Sequence, residues 1–275
     1  MGLAFAQRLL GAGWEVIGFD VAPSCRQRAK KLGVSIMRDN AAVLAACDRV
    51  ILSLPTLSET EFVLRDACAT LHPGHLILDT TTGEPERAEA IYQRLAAQGV
   101  RYMDATISGN SEQVASGDEV LTMVGGDTEA FHAARGILRV LTPRVRHVGR
   151  SGSGARMKLV TNLVLGLNRA VLAEGLCFAE QLGFTRRAAL EVLLESMAYS
   201  ATMDTKGEKM VTEDFRPQAR LSQHLKDVRL MLQAAETRRF KLPLTNVHRQ
   251  LLEVAEAAGF GELDNCALIK VLAGR

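Results

Sequence analysis

The sequence predicts an α/β doubly wound sheet followed by an all-α C-terminal domain. Over residues 1–151, short β-rich apolar runs alternate with helical stretches, which is typical of parallel strands that are buried on both faces of a sheet. Over residues 152–275 this strand pattern is absent, and periodic apolar segments indicate helices alone. A glycine-rich stretch, Gly149–Gly154, separates the two parts, and we therefore place the domain boundary there.

Individual elements follow from the same patterns. The predicted strands are Glu15–Phe19, Val34–Met37, Arg49–Leu54, His75–Asp79, Arg101–Ala105, Val120–Val124 and Val145–Val148. Helices predicted in the first part include Leu3–Ala12, Leu57–Leu71, Glu86–Gln98 and Thr128–Leu141. Those predicted in the second part are Ala155–Leu182, Thr185–Met197, Ala219–Thr237, Leu244–Ala258 and Leu263–Leu272. Gly183, Gly259 and Gly261 stand where helices are expected to end.

The composition indicates a globular protein of a reducing compartment. Hydrophobic residues make up 47% of the 275 residues, which is enough for a packed core, and a formal net charge of +2 argues against a nucleic-acid groove. The five cysteines include no C-x-x-C pair, so neither a disulfide framework nor a metal site is predicted. We recognise no apolar run of about 20 residues and no signal peptide. We therefore expect a cytoplasmic protein without a membrane or nucleic-acid partner.

The N-terminal residues have the pattern of the second half of a Rossmann-type dinucleotide-binding βαβ unit. Gly2 opens a predicted helix, and the strand that follows, Glu15–Phe19, ends at Asp20. An acidic residue at this point accepts hydrogen bonds from the adenosine ribose and repels the extra phosphate of NADP. We therefore predict NAD as the cofactor, with NADP less favoured. The alternative is that Asp20 is an ordinary turn residue, because aspartate is common at strand ends.

The first half of this dinucleotide unit is not found in the sequence. A first strand and the first two glycines of G-x-G-x-x-G are expected to precede Met1, with Gly2 as the third glycine. In the common strand order this first strand is central to the sheet. Burial of about five apolar side chains contributes roughly 7–15 kcal/mol, which rivals the stability of a whole domain. We therefore expect an upstream segment to complete the sheet.

Two motifs carry a resemblance to the β-hydroxyacid dehydrogenase family. The stretch Asp104–Asn110, D-A-T-I-S-G-N, resembles the family's substrate motif D-A-P-V-S-G-G. The stretch Gly152–Asn162 resembles its G-x-G-x-x-x-K-x-x-x-N. The resemblance extends over nearly the whole chain. It implies a Rossmann domain over residues 1–151 and an all-α substrate and oligomerisation domain over residues 152–275.

The first motif implies a site for the substrate carboxylate. By the resemblance, Ser108 and Gly109 bind the carboxylate, which suits a hydroxyl and backbone amides that follow a strand. Two positions depart from the family, because Thr106 replaces a proline and Asn110 replaces the second glycine. Asn110 adds a side chain, which is expected to contact a further substituent of the substrate. Without the resemblance, the same residues would be interpreted as a polar loop.

The second motif implies the acid–base group. Lys158 and Asn162 are four residues apart and share one face of a predicted apolar helix at the domain junction. By the resemblance, Lys158 exchanges a proton with the substrate hydroxyl, and Asn162 orients the lysine or the substrate. A sheltered amine near the positive nicotinamide ring should give up its proton readily, which suits this chemistry near neutral pH. The alternative is a lysine that snorkels from a long helix.

Three shorter motifs extend the resemblance. Asp79–Glu86, D-T-T-T-G-E-P-E, is similar to the family's D-x-S-T-x-x-P-E and makes Thr82 a predicted cofactor contact, although a helix N-cap would explain the stretch as well. Leu54-Pro55 is similar to an L-P dipeptide that contacts the cofactor. Lys226-Asp227 resembles the family's K-D-L. Lys226 is expected to point toward the substrate and cofactor, with Asp227 supporting that region.

The sequence therefore predicts an NAD(P)-dependent oxidoreductase that interconverts a small β-hydroxy acid and its semialdehyde or keto acid. The resemblance implies a homo-oligomer, a dimer or tetramer, formed through the long helix. Two alternatives stay open at this point. One is an imine reductase on the same scaffold, although those relatives usually replace the lysine that Lys158 supplies. The other is a non-catalytic binding protein on a degraded scaffold, which the Lys158–Asn162 pair argues against.

Overall fold

The computed structural model describes residues 1–118 and 120–274 and contains two compact units, Met1–Lys158 and Leu159–Arg275. Within the described residues, the first unit is α/β and the second is helical. The predicted fold class, a Rossmann-type sheet domain and an all-α C-terminal domain, is confirmed. The long predicted helix begins in the first unit and continues in the second.

Strands and helices alternate along the first unit. Its strands are β1 (Ile17–Gly18), β2 (Ser35–Ile36), β3 (Arg49–Leu52), β4 (Leu76–Asp79), β5 (Arg101–Ser108), β6 (Leu121–Gly125) and β7 (Arg144–Gly149). Its helices are α1 (Gly2–Gly11), α2 (Pro23–Leu32), α3 (Asn40–Ala46), α4 (Leu57–Asp66), α5 (Pro85–Ala96), α6 (Ser111–Ser116) and α7 (Thr128–Leu141). A 3-10 turn, Cys68–Thr70, follows α4. Each predicted strand is therefore present, with bounds that differ by a few residues.

Five strands form one sheet in the order β3-β4-β5-β6-β7, and β1 pairs with β2 in a separate parallel pair. Strands β3, β4 and β5 are parallel, and the register places Asp79 at the end of β4 beside Asp104 of β5. The carboxyl ends of these three strands therefore lie at one edge of the sheet. In doubly wound folds this edge is where ligands bind.

Strand β6 departs from the expected parallel arrangement, because it runs antiparallel to β5. The connection between them contains α6, which has six residues and a length of about 9 Å. Strand β5 has eight residues and spans roughly 26 Å. A helix this short does not return the chain to the start of β5. The chain therefore re-enters the sheet beside Ser108 and runs back.

Both faces of the five-stranded sheet are covered. Successive residues of β5 point to opposite faces, since Tyr102 belongs to one apolar cluster and Met103 to the other. The Met103 cluster includes Phe5 of α1 and Leu138 of α7. The Tyr102 cluster includes Leu95 of α5. Burial on both faces explains why these strands are continuous apolar runs in the sequence.

A groove lies between the two sheets of the first unit. Its lining includes residues of β1 and of β3, as well as the start of α1. The cavity in this groove has a volume of about 1140 Å³. No β-ladder joins β1 or β2 to β3 in the described part of the chain. The walls of the groove are therefore formed in part by strand edges.

The second unit is built from helices that pack around two apolar clusters. Its elements are α8 (Ser153–Gln181, which begins in the first unit), α9 (Arg186–Glu195), α10 (Ala201–Thr212), α11 (Leu221–Thr237), α12 (Pro243–Ala255), a π-type turn (Glu256–Phe260), a 3-10 turn (Asn265–Ala267) and α13 (Leu268–Leu272). One cluster includes Leu225 of α11 and Leu252 of α12. The other includes Leu176 of α8 and Met210 of α10.

Among residues 1–118 and 120–274, α8 alone is long and apolar enough to pass a length-and-composition test for a membrane span. Its 29 residues would reach about 44 Å. The core helix of a water-soluble protein passes the same test, so this feature is weak evidence for a membrane.

Candidate active site

The end of strand β5 forms the predicted carboxylate site. Ser108 is the last residue of the strand and is half-buried. Gly109 follows with a φ of +154°, a backbone conformation that favours glycine. A Cβ at this position would lie 2.4 Å from Cγ1 of Val120, so there is no room for a side chain. Glycine is therefore required here by both backbone conformation and space.

Asn110 uses its side chain locally. It is the N-cap of α6, where its Oδ1 accepts a hydrogen bond from the backbone N–H of Gln113 at 2.9 Å. The backbone N–H of Asn110 in turn donates to Oε1 of Gln113 at 3.0 Å. This reciprocal pair is a capping box, and it fixes the start of α6 directly after the Ser108–Gly109 turn. The asparagine that departs from the family motif thus has a structural partner in its own helix.

Lys158 lies in the second turn of α8 and is only 9% exposed. Its Nζ donates a hydrogen bond to the backbone carbonyl of Ile107 at 2.6 Å. Ile107 directly precedes Ser108 in β5, so the amine lies at the same strand end as the predicted carboxylate site. A buried lysine needs hydrogen-bond partners to offset its desolvation, and this carbonyl is one of them.

Asp104 joins the middle of β5 to the start of α8. Its Oδ1 accepts from the backbone N–H of Gly152 at 2.7 Å, and its Oδ2 accepts from that of Ala155 at 2.8 Å. The hydroxyl of Thr106 donates to the carbonyl of Gly154 at 2.9 Å. We call these three bonds, together with the bond from Lys158 to β5, the β5–α8 clamp. A carboxylate at a helix N-terminus also interacts favourably with the helix dipole.

The two buried carboxyl groups at this sheet edge have raised pKa values. Burial is the main cause for Asp104, whose pKa is raised to about 6 although two backbone N–H groups act in the opposite direction. Burial likewise raises the pKa of Asp79, despite hydrogen bonds from the N–H of Thr81 and the hydroxyl of Tyr102. Sequence reasoning quoted Asp104 as the first residue of a motif but assigned no role to it.

The ends of β3 and β4 are joined beside the groove. The backbone N–H of Leu54 donates to the hydroxyl of Thr81 at 3.2 Å, and that of Thr80 donates to the carbonyl of Leu52 at 2.9 Å. Pro55 directly follows Leu54, and the half-buried Thr82 directly follows Thr81. The structure therefore brings the two predicted cofactor loops together.

Four of the predicted cofactor residues line the same groove, namely Gly2, Asp20, Leu54 and Pro55. Gly2 opens α1, so backbone N–H groups of a helix N-terminus are available for phosphate. A Cβ at Gly2 would meet Ser53 at 3.6 Å, which is ordinary contact, so glycine is not required there by space. These residues fit a bound nicotinamide dinucleotide.

Asp20 is exposed at the end of β1. Its Oδ1 accepts from the N–H of Ala22 at 2.8 Å, which forms a turn. The guanidinium of Arg26 donates to the carbonyls of Asp20 and Val21 at 2.6 and 3.0 Å. A carboxylate and a guanidinium therefore stand side by side on this wall of the groove.

The remaining predicted residues belong to the second unit. Asn162 lies one turn beyond Lys158 on α8, and its Nδ2 donates to Oδ2 of Asp227 at 3.0 Å. Asp227 is buried on α11, and the neighbouring Lys226 is half-buried. This bond holds the amide of Asn162, so Asp227 of the K-D motif supports the asparagine of the K-x-x-x-N motif within the second unit. In the described part of the chain, no group of three His, Cys, Asp or Glu side chains is arranged for a metal ion.

Two family models match the chain in succession. Residues 1–149 match the "NAD binding domain of 6-phosphogluconate dehydrogenase". Residues 152–272 match the "NAD-binding of NADP-dependent 3-hydroxyisobutyrate dehydrogenase". Both halves of the chain are thus assigned to nicotinamide-dependent dehydrogenases.

Curated relatives support the same assignment. The chain is 31% identical to an L-threonate dehydrogenase of Cupriavidus necator over 278 residues, covering 100% of the chain and 93% of the relative. It is 30% identical to a 2-(hydroxymethyl)glutarate dehydrogenase of Eubacterium barkeri, covering 98% and 91%. It is 26% identical to the 2-hydroxy-3-oxopropionate reductase of Escherichia coli, covering 99% and 94%.

Solved structures agree with these relatives. The Mycobacterium tuberculosis 3-hydroxyisobutyrate dehydrogenase with L-serine superposes with a TM-score of 0.90 at 27% identity, covering 99% of the chain and 95% of that protein. An imine reductase from Pseudomonas sp. shares the fold at 22% identity with a lower TM-score of 0.64, covering 99% and 96%. The chain therefore belongs to the β-hydroxyacid dehydrogenase family and is an NAD(P)-dependent oxidoreductase that interconverts a small β-hydroxy acid and its semialdehyde or keto acid.

Proposed function

We propose that Lys158 is the general acid–base group of this reaction and that Ser108 and Gly109 bind the substrate carboxylate. The observation that carries the proposal is the 2.6 Å hydrogen bond from Nζ of Lys158 to the carbonyl of Ile107, directly before Ser108. It supports a site in which one strand end holds both the proton-transferring amine and the carboxylate-binding turn. A bound nicotinamide ring would supply the hydride acceptor or donor.

In the oxidative direction, the neutral amine of Lys158 accepts the proton of the substrate hydroxyl. In the reductive direction, the ammonium returns a proton to the carbonyl oxygen. The carbonyl of Ile107 orients the amine, and low exposure keeps bulk water from competing for it. Asn162 and Lys226 complete this proposal as residues that orient the substrate, with Asp227 supporting Asn162.

The experiment is to replace Lys158 with methionine, which keeps much of its length and apolar stem. Turnover should fall by at least about 100-fold, the lower range for acid–base groups, while the Kd of the nicotinamide cofactor stays within about twofold. Lys241→Met removes an exposed lysine and serves as the control, which should retain wild-type turnover. Turnover of the Lys158 variant within about threefold of the wild type would contradict the role.

We also propose that NAD is preferred over NADP. Asp20 supports this preference, because its exposed carboxylate lines the groove where the adenosine ribose would lie and would repel a 2′-phosphate. The guanidinium of Arg26 would attract that phosphate, so Asp20 and Arg26 together set the preference between NAD and NADP. Asp20→Ser should shift the ratio of kcat/KM values toward NADP by more than tenfold. An unchanged ratio would remove Asp20 from cofactor selection, and Glu15→Gln provides a charge-matched control outside the strand end.

The substrate is proposed to be a small carboxylic acid with a hydroxyl on its β-carbon. A panel of L-threonate, 3-hydroxyisobutyrate, 2-(hydroxymethyl)glutarate and glycerate compares acids that match the relatives named above. The acid with the highest kcat/KM identifies the substrate, and its product is identified by mass. No turnover with any of the four acids would contradict the proposed substrate class.

We further propose a cytoplasmic homo-oligomer without membrane or nucleic-acid partners. The support is an apolar surface on α8, where Val160, Val164, Val171 and Phe178 are each at least 50% exposed. Exposed apolar surfaces mark contacts with another protein chain or with a membrane, and we propose the first of these for α8. Sedimentation of the purified protein without detergent tests the proposal, which predicts a dimer or tetramer.

A further inference from the structure

We propose that Asp104 is a positioning residue that sets the place of Lys158 through the first turn of α8, and that it does so as a carboxylate. The inference rests on the proposed function, because it assigns a consequence to the position of the Lys158 amine. Asp104 itself lies inside the sheet and would not touch the substrate. Its effect is carried by the β5–α8 clamp.

The clamp bonds both ends of the first turn of α8 to strand β5. Asp104 holds the backbone N–H groups of Gly152 and Ala155, one on each carboxylate oxygen. Lys158 follows Ala155 by three residues and bonds back to Ile107, three residues after Asp104. The strand and the helix are therefore fixed to each other on both sides of the segment that leads to the amine. Movement of the first turn would move the amine relative to Ser108.

No side chain fits between the members of the clamp. A Cβ on Gly154 would lie 2.6 Å from the backbone carbonyl of Asp104. A Cβ on Gly125 would lie 2.6 Å from Oδ1 of Asp104 and 2.8 Å from the backbone nitrogen of Gly154. The strand, the helix start and the carboxylate are in direct contact, and two glycines make this approach possible. The Gly-x-Gly spacing of the motif thus serves the clamp, in which Gly154 is the second glycine.

The ionised carboxyl group is the form that accepts both N–H bonds most strongly. Protonation turns one oxygen into a hydroxyl oxygen, which is a weaker acceptor for its N–H donor than a carboxylate oxygen. One clamp bond is then weakened, and the start of α8 is held less firmly to the strand. Burial raises the pKa of Asp104 to about 6, so this protonation occurs under mildly acidic conditions.

Several ionisable groups lie near Asp104 and can affect its pKa. The titratable and charged groups on the elements packed around it include Asp79 of β4, Arg101 and Tyr102 of β5, Glu89 of α5, Arg150 before α8, and Arg156 and Lys158 of α8. Asp79 opposes ionisation of Asp104, and its own hydrogen bonds go to Thr81 and Tyr102 rather than to α8. Asp79 pairs with Asp104 across β4 and β5 and is also buried, but it makes no bond to α8. It therefore serves as a matched control for Asp104.

The experiment compares Asp104→Asn with Asp79→Asn in the full chain, using the best substrate of the panel. For Asp104→Asn, kcat should fall by about 100-fold, because displacement of a catalytic group by about 1 Å has effects of this size. The Kd of the cofactor should change by less than about twofold. Measured in the reductive direction with the corresponding semialdehyde or keto acid, where the ammonium form of Lys158 is the active one, the wild type should lose kcat as the pH falls through about 6. Asp104→Asn should lack this acid limb. Asp79→Asn should keep the limb, whatever its effect on stability.

An Asp104→Asn variant with wild-type kcat and an unchanged acid limb would overturn the proposal. If Lys158→Met is inactive while Asp104→Asn is unaffected, the positioning role fails and the proposed function stands. If Lys158→Met is active, the proposed function itself fails. A measurement on the wild type keeps the proposal testable if the variant does not fold. The ¹³C chemical shift of the Asp104 carboxyl group should titrate at the same pH as the acid limb of kcat. A mismatch of more than about one pH unit would contradict the role.

Discussion

Replacement of Asp104 by asparagine should remove a pH dependence from the stability of the first unit. The pKa of this carboxyl is raised from 3.8 to about 6 by burial. A difference of about two pKa units corresponds to roughly 3 kcal/mol, at about 1.4 kcal/mol per unit. Because the folded-state pKa is the higher one, the folded protein binds the proton more tightly, and ionisation costs stability. The contribution is therefore present below about pH 4 and is lost as the pH rises through about 6.

The assay is urea unfolding at several pH values between about 4 and 7, followed by tryptophan fluorescence. Trp14 is the single tryptophan of the chain and packs against the apolar cluster that includes Met103, so it reports on the first unit. The free energy of unfolding of the wild type minus that of Asp104→Asn should fall by roughly 3 kcal/mol across this range. Asp66→Asn removes an exposed carboxylate and should show no such trend. A difference that stays flat within about 1 kcal/mol would refute the reasoning.

Three further predictions follow from single contacts. Gly109→Ala should raise the KM of the hydroxy acid more than tenfold, as measured by steady-state kinetics, because its Cβ would lie 2.4 Å from Val120. Lys206→Met should destabilise the second unit by about 3–5 kcal/mol in thermal unfolding, since Asp264 is 0% exposed and bonds Lys206 at 2.8 Å. Thr106→Val should lower the free energy of unfolding in urea by about 1 kcal/mol and should lower kcat, because it removes one bond of the β5–α8 clamp. For each of the three variants, an unchanged value in its assay would contradict the contact on which the prediction rests.

The order and type of most long elements could be predicted from the sequence, because burial leaves a periodic apolar pattern, but helix α10, which has twelve residues, was not predicted. Helix α7 was predicted with the bounds that the structure has, and it is strongly amphipathic around Ile137 and Leu138. Helices α3 and α6 were not predicted, because seven and six residues are too few for a helical period to be recognised. Helix α2 has no buried residue, so it has no apolar face to detect.

The candidate site could be predicted only in part. The family resemblance indicated Lys158, Ser108 and Gly109, and the amine of Lys158 does lie at the strand end that carries Ser108 and Gly109. The role of Asp104 was missed, because its carboxylate bonds the start of a helix that is about 50 residues further along the chain. Local sequence patterns do not indicate a bond over this separation. The expected contact of Asn110 with the substrate stays a prediction, and the structure adds a role that was not predicted, because its side-chain oxygen caps α6. The signal for that cap was the glutamine three residues later, which completes a capping box.

The groove between the paired strands β1–β2 and the five-stranded sheet has a consequence for how the protein meets other polypeptides. The edge strands of the two sheets expose main-chain N–H and C=O groups. An extended peptide between the sheets can form hydrogen bonds to the edge strand on each side of it. A segment of five or so apolar residues laid between β1 and β3 would fuse the two sheets into one. The indole of Trp14 lines this groove, so its emission would change when such a segment enters.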